Sequence, residues 1–222
     1  EEYGGLGMGF VSTMLVCEYI SGCTGSLSTA FGAHTGIGTM PIVFYGTEEQ
    51  KQKYVPKLAS GEHFGSYCLT EPTAGSDANS GKTKAVLSED GTHYKISGQK
   101  IWISNAGFAN IFIVFARIED DKNITGFIVP NEPNNGISLG EEENKLGIHS
   151  SSTRQVFFDN TKVPIENMLS ERGNGFKIAL NSLNVGRIKL AAACLDALKR
   201  VTSLGVQYAT EREQFNTKII DF

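Results

Sequence analysis

The sequence predicts an α+β chain in three successive parts. A helical N-terminal block covers residues 1–62, an antiparallel β-barrel or sandwich covers 63–170, and the start of a C-terminal helical bundle covers 171–222. Three observations carry this reading. Apolar residues recur at helical spacing up to about residue 58; short β-branched and aromatic runs broken by turn residues then follow to about residue 163; and a long helical seam begins near Gly175.

Within the first part the pattern is helical from Met8 to about Leu58, and Thr47-Glu48-Glu49-Gln50 reads as an N-cap with Gln at the capping-box position. In the second part the strand runs are Lys82 to Leu87, Tyr94 to Ser97, Ile101 to Ser104, Ile111 to Ala116, Thr125 to Val129 and Gln155 to Phe158. Asp90-Gly91 between the first two is a hairpin signal. No helical pattern separates the runs, so an antiparallel barrel or sandwich is expected rather than a parallel α/β sheet.

In the third part Phe176, Leu180, Leu183, Arg187, Leu190, Cys194, Ala197, Val201, Leu204 and Tyr208 follow one another by threes and fours. Arg187 is the one charge on that seam. Two readings stand open for it: pairing with a carboxylate or running out along its stem to water, or reaching a ligand from the core face of the helix. The chain starts without Met and runs to Ile220-Asp221-Phe222 in what reads as continuing helix, so it is read as a piece cut at both ends.

Composition narrows the function classes. The 222 residues are 40% hydrophobic and 20% charged with a net charge of -4, which offers no basic stripe for nucleic acid. No apolar stretch approaches the roughly 20 residues of a membrane span, and Glu1-Glu2-Tyr3-Gly4-Gly5 carries no signal for secretion. Cys17, Cys23, Cys68 and Cys194 form no C-x-x-C pair, and the four histidines are isolated. Neither a zinc site nor a disulfide framework is expected. Gly5, Gly7 and Gly9 come near G-x-G-x-x-G, but Phe10 and Ser12 break it and no strand precedes it.

A dinucleotide would therefore have to be held by backbone amides, hydroxyls and an arginine. Two segments have that character. Tyr67-Cys68-Leu69-Thr70-Glu71-Pro72-Thr73-Ala74-Gly75-Ser76-Asp77 is a short strand entering a turn rich in amides and hydroxyls. In Ile101-Trp102-Ile103-Ser104-Asn105-Ala106-Gly107 the only tryptophan is followed two places on by a hydroxyl, which suits a flat heteroaromatic ring, although a lone Trp also serves simply as core.

These segments, with Gly98 to Asn105, Leu146-Gly147-Ile148, Thr153 to Asp159, Asn184-Val185-Gly186-Arg187 and Tyr208 to Phe215, resemble the acyl-CoA dehydrogenase family, in particular its longer, very-long-chain-like members. The resemblance implies an FAD site in which Tyr67, Leu69, Thr70, Gly75 and Ser76 lie along the flavin. Thr70 and the Leu69 backbone would bond its pyrimidine side and Ser76 would sit near phosphate and substrate. Trp102 and Ile103 would pack by the ring, and Ser104 would bond N5. It implies that Arg212, Gln214 and Phe215 reach the FAD of a neighbouring subunit, and that Asn184 and Arg187 lie beside the acyl-CoA.

The implied reaction is α,β-dehydrogenation of a fatty acyl-CoA in fatty acid β-oxidation, with an electron-transfer flavoprotein or similar acceptor. The implied assembly is a homodimer or homotetramer, in bacterial cytoplasm or mitochondrial matrix. No catalytic residue is assigned. The family's usual glutamate base would lie beyond Phe222, and Gly186 stands where a minority of members carry it. Glu211 and Glu213 read as helix-surface acids. An acyl-CoA oxidase or flavin monooxygenase of the same fold, and a non-catalytic assembly protein, are the alternatives.

Overall fold

The computed structural model describes all residues, 1–222. Helices α1 (Phe10–Cys23), α2 (Gly25–Gly32), α3 (Met40–Tyr45) and α4 (Glu48–Ser60) form the first part, with a π-helical turn at Ala33–Gly38 between α2 and α3. The strands are β1 (Gly65–Cys68), β2 (Lys84–Leu87), β3 (His93–Ser104), β4 (Ile111–Ile118), β5 (Thr125–Pro130), β6 (Ile137–Leu139), β7 (Thr153–Pro164) and β8 (Met168–Leu169). A single helix, α5 (Gly175–Glu211), follows, and the chain closes in the small hairpin β9 (Glu213–Gln214) and β10 (Thr217–Lys218). No helix is long and apolar enough to cross a membrane.

The capping box forms as the sequence indicates: the Thr47 hydroxyl accepts from Gln50 N–H and the Gln50 side chain accepts from Thr47 N–H. The same Gln50 amide donates to the carbonyls of Glu166 and Met168, so one cap both starts α4 and ties it to the β region. Seven strands run in the order β6-β7-β3-β2-β4-β5-β8, and β1 joins at β4. Tyr94 to Ser97 and Ile101 to Ser104 are parts of one strand, β3. The sheet is antiparallel as expected at every other pairing, and departs from that at β4, which pairs in parallel with both β1 and β2. Those two strands share one edge of β4: β1 runs beside Ile111 to Val114 and β2 beside Arg117 and Ile118, leaving a gap at Phe115 and Ala116.

Strand β4 is buried on both faces, which is why its sequence is a continuous apolar run rather than an alternation. Phe112, Val114, Ala116 and Ile118 enter one core with residues of β3, β5 and β7. Ile111, Ile113 and Phe115 enter a second core with Tyr54, Val55 and Leu58 of α4 and Ile178 and Ala179 of α5. The helices therefore cover one side of the β layer.

Two close contacts fix the π-helical turn on β1. Gly38 and Gly65 meet backbone to backbone: a Cβ at Gly38 would fall 2.6 Å from the Gly65 carbonyl carbon, and one at Gly65 would fall 2.7 Å from the Gly38 oxygen. Beside them His34 is buried, with Nδ1 accepting from Gly65 N–H at 3.1 Å and Nε2 facing the Leu58 carbonyl at 3.1 Å. An acceptor at Nδ1 and a donor at Nε2 define the neutral ring, and protonation would set an N–H against the Gly65 N–H.

Burial, aided by the nearby Lys189 charge and opposed by the Leu58 hydrogen bond, holds the His34 pKa below its ordinary value. The stability that the neutral ring contributes is therefore complete above the unfolded-state pKa of about 6.5 and is lost as pH falls through the native pKa. The urea midpoint should fall between pH 7.5 and 5, and His34→Gln, which keeps a donor and an acceptor, should flatten that slope. Equal slopes in the two proteins would show that His34 is not linked to folding.

Candidate functional site

The loop that leaves β1 passes through the gap in the edge of β4 and is pinned there by one ammonium group. Lys100, on β3, is 1% exposed, and its Nζ donates to the Leu69 carbonyl at 3.1 Å, the Glu71 carboxylate at 2.7 Å and the Phe115 carbonyl at 2.7 Å. Glu71 in turn accepts from the N–H groups of Lys82, at 2.5 Å, and Thr83, at 3.1 Å. Burial raises the Glu71 pKa, but the Lys100 charge and these donors outweigh it and hold the carboxyl below the usual range. Burial acts on Lys100 in the other direction and lowers its pKa despite the Glu71 partner. The loop between the two attachments is closed by paired backbone bonds between Glu71 and Ala74, and Ile101 N–H donates to the Thr70 carbonyl at 3.0 Å.

The result is a cavity of about 380 Å³ whose wall takes in Tyr67, Leu69, Thr70, Gly75, Ser76, Trp102, Ile103, Ser104 and Arg187. Every residue picked from the first two segments thus meets at one place. The rest of the wall is Leu180 and Leu183, which the sequence places on the α5 seam, and Ala33, Ile37 and Ala78, which were not singled out from the sequence. Ala33 and Ile37 belong to the π-helical turn, a geometry often found at functional sites. Tyr67 is buried, and its hydroxyl donates to the Ala179 carbonyl at 3.2 Å, which joins β1 to α5.

Trp102 has a left-handed backbone, φ 55, at a break in the β3–β7 register between Lys100 and Ile103. A bulge, not simple alternation, brings Trp102 and Ser104 to one cavity. It also leaves the indole 64% exposed rather than in the core. A left-handed aromatic residue in a strand costs about 1–3 kcal/mol and is held only by its surroundings. Here the Thr70–Ile101 hydrogen bond and the buried Lys100 lie immediately before it in the chain.

On α5 the outcome differs from the expected core seam. The buried positions of the helix are Gly175, Ile178, Ala179, Ser182 and Lys189, whereas Leu190, Val201, Leu204 and Tyr208 of the seam are exposed. Arg187 has no carboxylate partner. Its Nη1 donates to Asn184 Oδ1 at 2.6 Å, and Arg187 lines the cavity while Asn184 stands outside the wall. The chain end is a second correction. The helix stops at Glu211, and Phe215 and Asn216, with φ of 54 and 56, make the tight turn between β9 and β10. Arg212, Gln214 and Phe215 sit on this exposed hairpin and do not line the cavity, and Glu213 lies on β9 rather than on a helix.

A second cavity of about 350 Å³ adjoins the first, sharing Ala33, Ile37, Ser104, Leu183 and Arg187 and adding Cys17, Gly186, Lys189 and Leu190 among others. No carboxylate lines either cavity.

Three family models match the chain in order: the acyl-CoA dehydrogenase N-terminal domain over residues 1–62, the middle domain over 66–161 and the C-terminal domain over 173–222. The chain belongs to the acyl-CoA dehydrogenase family.

Among relatives in that family, a probable acyl-CoA dehydrogenase of Bacillus subtilis is 52% identical across the whole chain, which spans 37% of that protein. The mitochondrial very long-chain specific acyl-CoA dehydrogenase of Rattus norvegicus is 43% identical, again over the whole chain and 35% of the relative. Among solved structures, the acyl-CoA dehydrogenase of Bacillus anthracis complexed with FAD superposes with a TM-score of 0.95 at 46% identity, over the whole chain and 38% of that protein. The butyryl-CoA dehydrogenase of Megasphaera elsdenii gives 0.93 at 38% identity, over the whole chain and 59% of the relative.

The Lys100 anchor should dominate the stability of this family member's cavity. Lys100→Met leaves Glu71 buried without its counter-ion and the Leu69 and Phe115 carbonyls without a donor, and should cost about 3–5 kcal/mol in denaturant unfolding. Adding Glu71→Gln should recover part of that loss. A cost below about 1 kcal/mol for the single variant would show that the pair does not hold the loop.

Proposed function

We propose that the protein carrying this chain is an FAD-dependent acyl-CoA dehydrogenase of fatty acid β-oxidation. In this reading it removes the α and β hydrogens of a fatty acyl thioester and passes electrons to an electron-transfer flavoprotein or a similar acceptor. One observation supports the reading above the others: the cavity wall joins the Trp102 indole to the Thr70 and Ser104 hydroxyls, and neither hydroxyl is bonded to another protein group. The residues present fit the isoalloxazine. They offer a flat aromatic face, an apolar floor at Leu69 and Ile103, and hydrogen-bonding groups that the fold leaves unspent.

In this reading Thr70 and the Leu69 backbone hold the pyrimidine edge, Gly75 and Ser76 admit the phosphate side, Trp102 packs beside the ring and Ser104 bonds N5. Bound there, FAD supplies the acceptor for the β-hydrogen. Arg187, steered by Asn184, faces the thioester side. The base is not within these residues: the cavities carry no carboxylate, Gly186 has no side chain, and Glu71 is spent on Lys100. Removal of the α-proton then falls to a carboxylate from another part of the polypeptide. The exposed hairpin with Arg212, Gln214 and Phe215, the last 90% exposed, supports contact with a neighbouring subunit in a homodimer or homotetramer. Bacterial cytoplasm and the mitochondrial matrix are the compartments proposed.

A general base contributes about a hundredfold to ten-thousandfold. Residues 1–222 loaded with FAD and mixed anaerobically with acyl-CoA thioesters of several lengths should therefore keep their flavin absorbance, while the full-length protein bleaches promptly. Prompt bleaching by residues 1–222 would place a base inside them. No bleaching by the full-length protein would remove the dehydrogenase reading.

A further inference from the structure

Lys100 does not line the cavity, yet one of its bonds reaches the cavity wall through the backbone. Its Nζ donates to the Leu69 carbonyl at 3.1 Å, and Leu69 and Thr70 are both wall residues. The Leu69–Thr70 peptide is trans, as every peptide of the chain is, so its carbonyl and its N–H point in opposite directions. The carbonyl faces the buried ammonium, and the Thr70 N–H therefore faces away from it. The Thr70 carbonyl is taken by the Ile101 N–H at 3.0 Å, whereas the Thr70 N–H donates to no protein acceptor. An ammonium on a carbonyl oxygen polarises the whole peptide and makes the N–H at its other end a stronger donor. The wall thus carries a fixed, strengthened and unspent donor.

We propose that Lys100 is a positioning residue that sets the reduction potential of the flavin: acting through the Leu69–Thr70 peptide, it presents a polarised Thr70 N–H to the pyrimidine edge, where reduced flavin carries its negative charge. This rests on the placement of the flavin in the reading above. A preorganised donor aimed at the place where charge develops favours the reduced ring over the oxidised one, and hydrogen bonds and charge at the ring nitrogens are the means by which a protein tunes a flavin. No carboxylate lines the cavity to oppose it. Glu71, the acid paired with Lys100, is spent on the ammonium and on the amides of Lys82 and Thr83. The pair adds no net charge to the core, but its positive end is the one bonded to the cavity wall.

The test is the midpoint potential of FAD bound to the full-length protein without substrate, measured by equilibration with a redox dye, alongside the Kd of oxidised FAD. In the wild-type protein the bound potential should lie above that of free FAD. Lys100→Met combined with Glu71→Gln removes the ammonium without leaving a buried carboxylate. It should lower the potential by about 30–60 mV, a ten- to hundredfold loss of preference for reduced FAD at two electrons, and change the Kd of oxidised FAD by about threefold or less. Lys100→Arg with Glu71 in place should keep the wild-type potential. A loop that is merely loosened would weaken oxidised and reduced FAD alike, so a weaker Kd with an unshifted potential would overturn the inference. A wild-type bound potential below that of free FAD would overturn it too, and needs no variant to fold. A full-length protein that holds no FAD would sink the flavin placement and this inference together, whereas FAD held with an unshifted potential would sink the inference alone.

Discussion

Three acceptors from two distant parts of the chain converge on the Lys100 ammonium: the Leu69 carbonyl and the Glu71 carboxylate in the loop after β1, and the Phe115 carbonyl in β4. Strands β1 and β2 share an edge of β4, and the loop between them must leave that edge in the middle of the sheet, where an open backbone carbonyl would be costly. Lys100 supplies the missing donor, and Glu71 supplies both its counter-ion and the acceptor for two further amides. Burying such a pair costs several kcal/mol per ion and is tolerated only when nearly every donor and acceptor is matched, as they are here.

The rest of the site is arranged around that anchor. Fixing Leu69 and Glu71 presents Thr70 between them, and the same strand that carries Lys100 bulges one residue later to turn Trp102 outward. The opposite wall comes from the helices, held at close range by the Gly38–Gly65 backbone contact, the neutral His34 and the Tyr67 hydroxyl on α5. A cavity placed between a sheet and a helix layer in this way inherits its shape from both cores, so its walls are mostly rigid before any ligand arrives.

Much of this was legible in the sequence because the signals are local. The capping box at Thr47, the turn at Asp90-Gly91 and the strand runs from Ile111 onward depend on neighbours a few residues apart, and they form where those neighbours indicate. The two candidate loops are marked by their hydroxyls, glycines and lone Trp. What stayed hidden depends on distant partners. The Glu71–Lys100 pair is 29 residues apart, the His34–Gly65 bond 31, and neither has a spacing that could announce it. Strand parallelism at β4 and the bulge at Trp102 are decided by tertiary pairing. The α5 seam misled for a related reason: periodicity marks an apolar stripe but not the surface that covers it, and the stripe is exposed over much of its length in these 222 residues.

The central claim is that the cavity stands on a buried anchor as stable as the sheet itself, although part of its wall, Leu69, Thr70, Gly75 and Ser76, is a loop. Native-state hydrogen exchange measures this directly at the amides of Lys82, Thr83 and Ile101, whose acceptors are Glu71 and Thr70. The account predicts that all three exchange only through global unfolding, with the same opening free energy and denaturant dependence as the core amides of β4. Exchange through local opening, at free energies well below those of β4, would contradict it.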